Sequence, residues 1–368
     1  MTVGCSAFWK HLCIRPNSKV VPCCLYQDNK SPVLLEKDMN ETINHSNFIT
    51  LREKSLNNEK NLGCQKCYDK EESGRSSLRM DMNKNYPIDF KNTSIESNPD
   101  DIETAEFFIG DVCNLKCVMC HPSLSSSWRE DYVKLGGELS KRSEYDPNLE
   151  LLVGKLTSLT YLKFVGGEPF LAEKHIGILK SIEKISRENV TLEYNTNTTV
   201  RPFDELLECW KNFKKVNIRL SIDGHGTVNE FVRYPTKWTQ IESNMKYFTA
   251  LSELYPNINV EVLCTVNSYN VGQLDEFLSW IKSFGINRFI FNPVVKPRYL
   301  SPSNLPDDIF EETIIKLSNG SEEFKTIANY LKSTHKSFDK EIINYTKKIS
   351  GIRNIDVKNY LPHLSFLH

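Results

Sequence analysis

From residue 105 onward, short apolar runs alternate with stretches of helical periodicity. Six runs, at 106–112, 160–165, 191–195, 216–222, 259–266 and 288–292, are mostly rich in β-branched or aromatic residues, which is the pattern of strands. Between them, Leu274, Phe277, Leu278, Ile281 and Phe284 fall at helical spacing and stop at Gly285. Phe203, Leu206, Leu207, Trp210 and Phe213 mark a second such face, and Trp238, Ile241, Met245, Phe248 and Leu251 a third. Strands alternating with helices predict parallel βα units, so the expected fold is α/β, a partial (β/α)6 TIM-like barrel over residues 104–300. Chemistry in such barrels gathers at the C-terminal ends of strands.

The flanks read differently. Residues 1–79 mix short strand-like pieces with polar turns and hold six of the eleven cysteines, too little apolar matter for a free core without cross-links. Residues 80–103 are polar, turn-rich and unperiodic, and read as a linker. Residues 301–368 read as a helical extension of mixed charge, for which packing is the expected task. The segment 68–79 mixes acids with arginines and reads as a solvated charged loop.

Composition narrows the function classes. Apolar residues make up 39% of the 368 and charged ones 25%, with 47 acids against 46 bases. An even balance gives no basic field for nucleic acid or an anionic membrane. The first residues lack a basic start followed by an apolar core, and no run is long enough to span a bilayer, so a cytoplasmic location is expected. In that setting, clustered cysteines point to metal rather than disulfides.

The chemistry centres on Cys113, Cys117 and Cys120, spaced CxxxCxxC directly after the first barrel strand. A structural zinc site closes with four protein ligands, whereas a 4Fe-4S cluster held by three thiolates keeps one iron open. His121, next to Cys120, is the residue that would close a zinc site instead. Two further elements sit at strand ends: Gly166-Gly167-Glu168-Pro169 and Ser221-Ile222-Asp223-Gly224.

Together these elements resemble the radical S-adenosylmethionine (SAM) superfamily over roughly residues 105–295. The resemblance implies a 4Fe-4S cluster on Cys113, Cys117 and Cys120 whose open iron chelates SAM, and reductive cleavage to a 5′-deoxyadenosyl radical that abstracts a hydrogen atom. Gly166 and Gly167 would allow close backbone approach, and Glu168 would accept from the methionyl ammonium. Asn197, Ser221 and Asp223 match positions that contact the SAM ribose or amino acid. Arg233 would pair the carboxylate, and Met119 stands where relatives carry an aromatic near adenine. The implied partners are a flavodoxin- or ferredoxin-like electron donor and a substrate, first a peptide or protein side chain, second a small polar metabolite.

The N-terminal cysteines resemble a twitch or SPASM-type auxiliary cluster domain, on Cys5, Ile14-Arg15-Pro16 through Cys23-Cys24, and Gly63-Cys64-Gln65-Lys66-Cys67. That resemblance implies a second 4Fe-4S cluster on Cys5, Cys23, Cys64 and Cys67, with Cys24 the substitute and Cys13 further behind. Four thiolates leave no open iron, so electron transfer or support of the fold is the implied role. A small zinc-stapled domain is the alternative on residues alone, and a non-catalytic iron-sulfur or zinc scaffold the alternative for the whole chain. Cys209 and Cys264, isolated, read as buried small hydrophobes.

Overall fold

The structure, a computed structural model, describes residues 3–27, 33–36, 38–72, 74, 76–142, 146, 148–183 and 187–368. Met1 and Thr2 of the stretch read for export signals, and Ser73 and Arg75 of the charged segment, lie outside the described residues. The chain divides into two compact units: Met1–Gly110, Ser143–Tyr194 and Phe203–Val216 form one, and Asp111–Arg142, Asn195–Pro202 and Asn217–His368 the other.

The first unit is built on strands β1 (His11–Arg15), β2 (Lys19–Val21), β3 (Val33–Leu34), β4 (Thr104–Phe108), β5 (Tyr161–Val165) and β6 (Thr191–Thr196), in the order β3-β2-β1-β4-β5-β6. β4, β5 and β6 are parallel neighbours, as the alternating pattern predicts. The N-terminal strand β1 joins them, pairing in parallel with β4 from His11 opposite Thr104 to Ile14 opposite Phe107. Apolar side chains on one face of these strands, among them Leu12, Ile14, Phe107, Leu162, Phe164 and Leu192, are buried. On the other face Cys13, Glu106, Lys163 and Glu193 stand in register, with Lys163 Nζ 3.7 Å from Glu106 and 3.4 Å from Glu193.

Two sequence expectations shift here. The run 106–112 stops being a strand at Phe108, because Gly110 takes a positive φ of 113° and turns the chain, leaving Val112 exposed in the loop. The stretch from residue 80 begins inside a helix, Leu78–Asn85: Ser77 caps it by accepting from the Met80 amide, and Met82 is buried against Cys5, Phe8 and Trp9.

The second unit carries β7 (Lys215–Ser221), β8 (Ile258–Val266) and β9 (Phe289–Pro293), in that order, with β8 and β9 parallel. Helices Trp238–Leu254 and Leu274–Ser283 bury the apolar faces read from the sequence. The architecture is thus mixed α/β with a parallel sheet. The C-terminal residues form helices Asp307–Ser318, Glu322–Thr334 and Glu341–Arg353. Ile342, Tyr345 and Ile349, at helical spacing, share one apolar cluster with Val118, Trp128, Phe231 and Tyr269. No helix among the described residues is long and apolar enough to cross a membrane.

Candidate functional site

In the second unit, the three cysteines of the CxxxCxxC segment lie half-buried on one irregular loop. Their thiols sense one another: loss of water contact pushes the Cys117 thiol up, the neighbouring Cys120 and Cys113 push it further, and the Arg233 guanidinium opposes them. Burial likewise pushes Cys120 up to about 11, with Cys113 adding to it. A metal that binds here displaces protons from these thiols.

An irregular loop leaves its carbonyls without ladder partners, and here side chains supply them. The Ser125 hydroxyl donates to Leu115 O at 2.6 Å, Arg353 to Lys116 O, the Trp128 indole to Cys117 O, and the Tyr345 hydroxyl to Val118 O at 2.8 Å. The amides of Lys116 and Val118 donate to the carbonyls of Tyr234 and Val232. Ser127 holds the Cys113 carbonyl at 2.7 Å.

Asn197 Nδ2 lies 3.8 Å from Cys113 Sγ and donates to Asn114 Oδ1 at 2.8 Å. Its own Oδ1 accepts from the amide and hydroxyl of Thr199, and Thr199 Oγ1 accepts from Asn114. The residue expected to contact SAM therefore also braces the first cysteine. Asn114 and Thr199 escape sequence reasoning, since an Asn and a Thr in loops carry no spacing signal.

Ser221 ends β7 and is nearly buried. Asp223 and Arg233 are both buried and form an ion pair, Nε to Oδ2, of 2.7 Å. Asp223 Oδ1 accepts from the Thr265 amide at 2.6 Å, and Asn270 holds its carbonyl. Burial pushes the Asp223 carboxyl up while Arg233 and the Thr265 amide pull it down. The pairing puts both side chains to work on each other, and the Arg233 cation acts electrostatically on the Cys117 thiol.

Met119 and Cys120 open on a cavity of about 680 Å³, also walled by Trp128, Tyr132, Tyr299 and Tyr345. That volume suits a small organic ligand. His121 turns Nδ1 to the Ser123 hydroxyl and amide, at 2.9 and 3.2 Å, and packs edge-on against Tyr132.

In the first unit, Gly166 holds a φ of 141°, and a Cβ on it would meet Gly110 O at 2.4 Å. Gly167 N donates to that same carbonyl at 2.9 Å. The close approach that the glycines permit is thus to the chain's own backbone. Glu168 is buried and accepts from the Phe170 amide at 3.2 Å, capping the short turn Pro169–Leu171.

Also in this unit, Cys5, Cys23, Cys64 and Cys67 line a single cavity with Phe8 and Arg79. Burial pushes the Cys5 and Cys64 thiols up to about 12; Cys64 and Cys67 raise Cys5 further, Cys67 and Glu71 raise Cys64, and Arg79 opposes both. Cys24 is exposed and does not line the cavity, and Cys13 points to Glu106 at 3.8 Å. Arg79, which pairs with Glu71 and donates to Gly4 O, was not singled out from sequence. Cys209 and Cys264 are buried. Among the described residues, no three His, Cys, Asp or Glu side chains are gathered to hold a single metal ion.

No family model matches the chain, and no curated protein matches it. Solved structures similar to it include native anSMEcpe with bound AdoMet, at 19% identity and a TM-score of 0.44 over 64% of this chain and 63% of that one. Native anSMEcpe with bound AdoMet and Cp18Cys peptide is similar at 18% identity and a TM-score of 0.42, over 64% and 63%. Streptococcus suis SuiB bound to precursor peptide SuiA is similar at 14% identity and a TM-score of 0.42, over 82% and 70%. The chain thus spans less than two thirds of the length of these anSMEcpe structures.

Proposed function

We propose that this chain is a radical SAM enzyme that acts on a peptide or protein side chain. The observation that carries the reading is the CxxxCxxC loop itself. It offers three mutually interacting thiols, a backbone fixed at successive carbonyls, and a cavity of about 680 Å³ that opens at Cys120. The donor set is three thiols on one loop, which fits a cluster with one open iron, whereas closed zinc would need Nε2 of His121 as its fourth ligand, Nδ1 being held by Ser123.

Cys113, Cys117 and Cys120 would hold the cluster, which with SAM and one electron from a flavodoxin- or ferredoxin-like donor would supply reductive cleavage of SAM and hydrogen-atom abstraction from substrate. The chain's own residues set the conditions. Arg233, held by Asp223, is a fixed cation that favours the Cys117 thiolate. Asn197 fixes Cys113, Met119 forms part of the cavity wall, and the Gly166-Gly167-Glu168 turn shapes the end of β5. Ser221 reaches the end of β7, where a ligand's polar groups would be met.

Cys5, Cys23, Cys64 and Cys67 would hold the auxiliary cluster, and a reducing compartment such as the cytoplasm would keep such thiols available. Anaerobic reconstitution tests both assignments, with about eight irons per chain expected in two cubanes. Under a strong reductant the protein should release 5′-deoxyadenosine. Replacing Cys113, Cys117 and Cys120 with Ala should abolish that release and leave about half the iron. Survival of SAM cleavage in that variant would refute the reading.

A further inference from the structure

We propose that the C-terminal helix Glu341–Arg353 is the positioning element of the cysteine loop, with Arg353 and Tyr345 as positioning residues for its three thiols. The inference rests on the reading that this loop carries a cluster, and it gives residues 301–368 a task beyond packing.

Four consecutive carbonyls, from Leu115 to Val118, each accept from a side chain, and two of those donors come from this one helix. Arg353 and Lys116 are 237 residues apart in sequence, and Tyr345 and Val118 are 227 apart. Arg353 is nearly inaccessible, and its charge is met by Asp131 at 2.9 Å. Asp131 in turn receives Lys116 Nζ at 2.8 Å, so one buried carboxylate ties the helix to the loop by two cations. The guanidinium also lies 4.7 Å from the centre of the Tyr234 ring, whose carbonyl accepts from Lys116 N.

The helix sequence supplies this arrangement by periodicity. Ile342, Tyr345, Ile349 and Arg353 recur along one face, so the same stripe that buries apolar area delivers a hydroxyl to Val118 O and a guanidinium to Lys116 O. Hydrogen bonds in a dry setting hold geometry that a water-exposed loop would not keep. Groups that orient ligands in this way change metal affinity or activity by about 10–100-fold when removed. If the helix only packed, its apolar residues would suffice and the two polar tips would be dispensable.

Tyr345→Phe keeps the ring and deletes one hydroxyl, while Arg353→Lys keeps the charge and deletes the planar fork. Asn344→Ala, on the exposed face, is the control. In cluster-free protein, amide hydrogen exchange over residues 114–120 should rise about fivefold or more in both variants, with the rest of the chain unchanged. After anaerobic reconstitution, both should show an altered electron paramagnetic resonance spectrum of the reduced cluster on addition of SAM, and about tenfold slower SAM cleavage. Wild-type exchange together with a wild-type spectrum in both variants would overturn the proposal. Failure of the unaltered protein to take up iron at Cys113, Cys117 and Cys120 would sink the cluster reading. The exchange result would then decide on its own whether the helix positions the loop.

Discussion

A β-carbon on Gly166 would stand 2.4 Å from the carbonyl oxygen of Gly110, well inside van der Waals contact. The two glycines meet where β4 and β5 end, and the Gly167 amide secures the meeting with a 2.9 Å hydrogen bond to the same oxygen. At a φ of 141°, Gly166 also occupies backbone space that other residues enter only with strain.

Gly166→Ala should therefore be among the most damaging small substitutions in the chain. Strain alone costs about 1–3 kcal/mol, and the displaced Gly110 adds to it. Gly154→Ala, where the nearest atom is 3.6 Å away, should stay within about 0.5 kcal/mol of the parent. Urea denaturation of both variants checks the contrast.

Asp223 and Arg233 form a pair shielded from water. Asp223→Asn leaves the guanidinium buried without a counter-charge and should cost about 3–5 kcal/mol of stability. Replacing both partners with apolar residues of similar size should cost less than either single change. A double-mutant cycle on cluster-free protein measures the coupling, and additive losses would contradict it.

How far the sequence reached can be judged at Cys23 and Cys24, which are neighbours of equal chemistry. Spacing nominates both, and only the turn after β2 decides that Cys23 faces Cys5, Cys64 and Cys67 while Cys24 faces solvent. Strand positions were legible because burial imposes an apolar period, as in β5, where Leu162 and Phe164 alternate with more exposed neighbours. The end of β4 was not, since Ile109 carries the apolar run past Phe108 and Val112 resumes it after the backbone has turned at Gly110. Nor was the bond from Arg353 to Asp131, 222 residues apart, because periodicity says which face of a helix is buried and not what it is buried against.

Cys23→Ala should accordingly lose about half the iron on anaerobic reconstitution, while Cys24→Ala keeps the full complement. Iron and acid-labile sulfide assays separate them. Equal losses would mean that the auxiliary site does not use the cavity lined by Cys5, Cys23, Cys64 and Cys67.

Acid should destabilise the first unit through the buried His175 and the half-buried His11. Burial lowers His175, packed against Phe164 and Tyr194, from 6.5 to about 4, with the Ala172 carbonyl opposing. Burial, aided by Lys163, lowers His11 by the same amount, beside Thr104 Oγ1 at 2.7 Å. Between those values the unfolded chain binds a proton that the folded chain refuses, so stability is lost as pH falls from 6.5 to 4. Each group contributes a slope of up to about 1.4 kcal/mol per pH unit. His175→Phe should flatten the dependence of the urea midpoint on pH by that share.

Asn197 Nδ2 and the Leu115 amide both approach Cys113 Sγ, at 3.8 and 3.5 Å. An N–H directed at a cluster thiolate favours the form with more negative charge, which is the reduced one. Asn197→Leu removes one of these donors, so the reduction potential of the cluster proposed on Cys113, Cys117 and Cys120 should move to more negative values while its iron content holds. Thr199→Val deletes the hydroxyl's bonds with Asn197 Oδ1 and Asn114 Nδ2 but spares the amide bond to Asn197 Oδ1, so Nδ2 keeps its aim and the potential should hold. A redox titration followed by electron paramagnetic resonance distinguishes the two variants. If Asn197 merely braces the loop through Asn114, both changes should loosen the loop alike, and neither would shift the potential in a fixed direction.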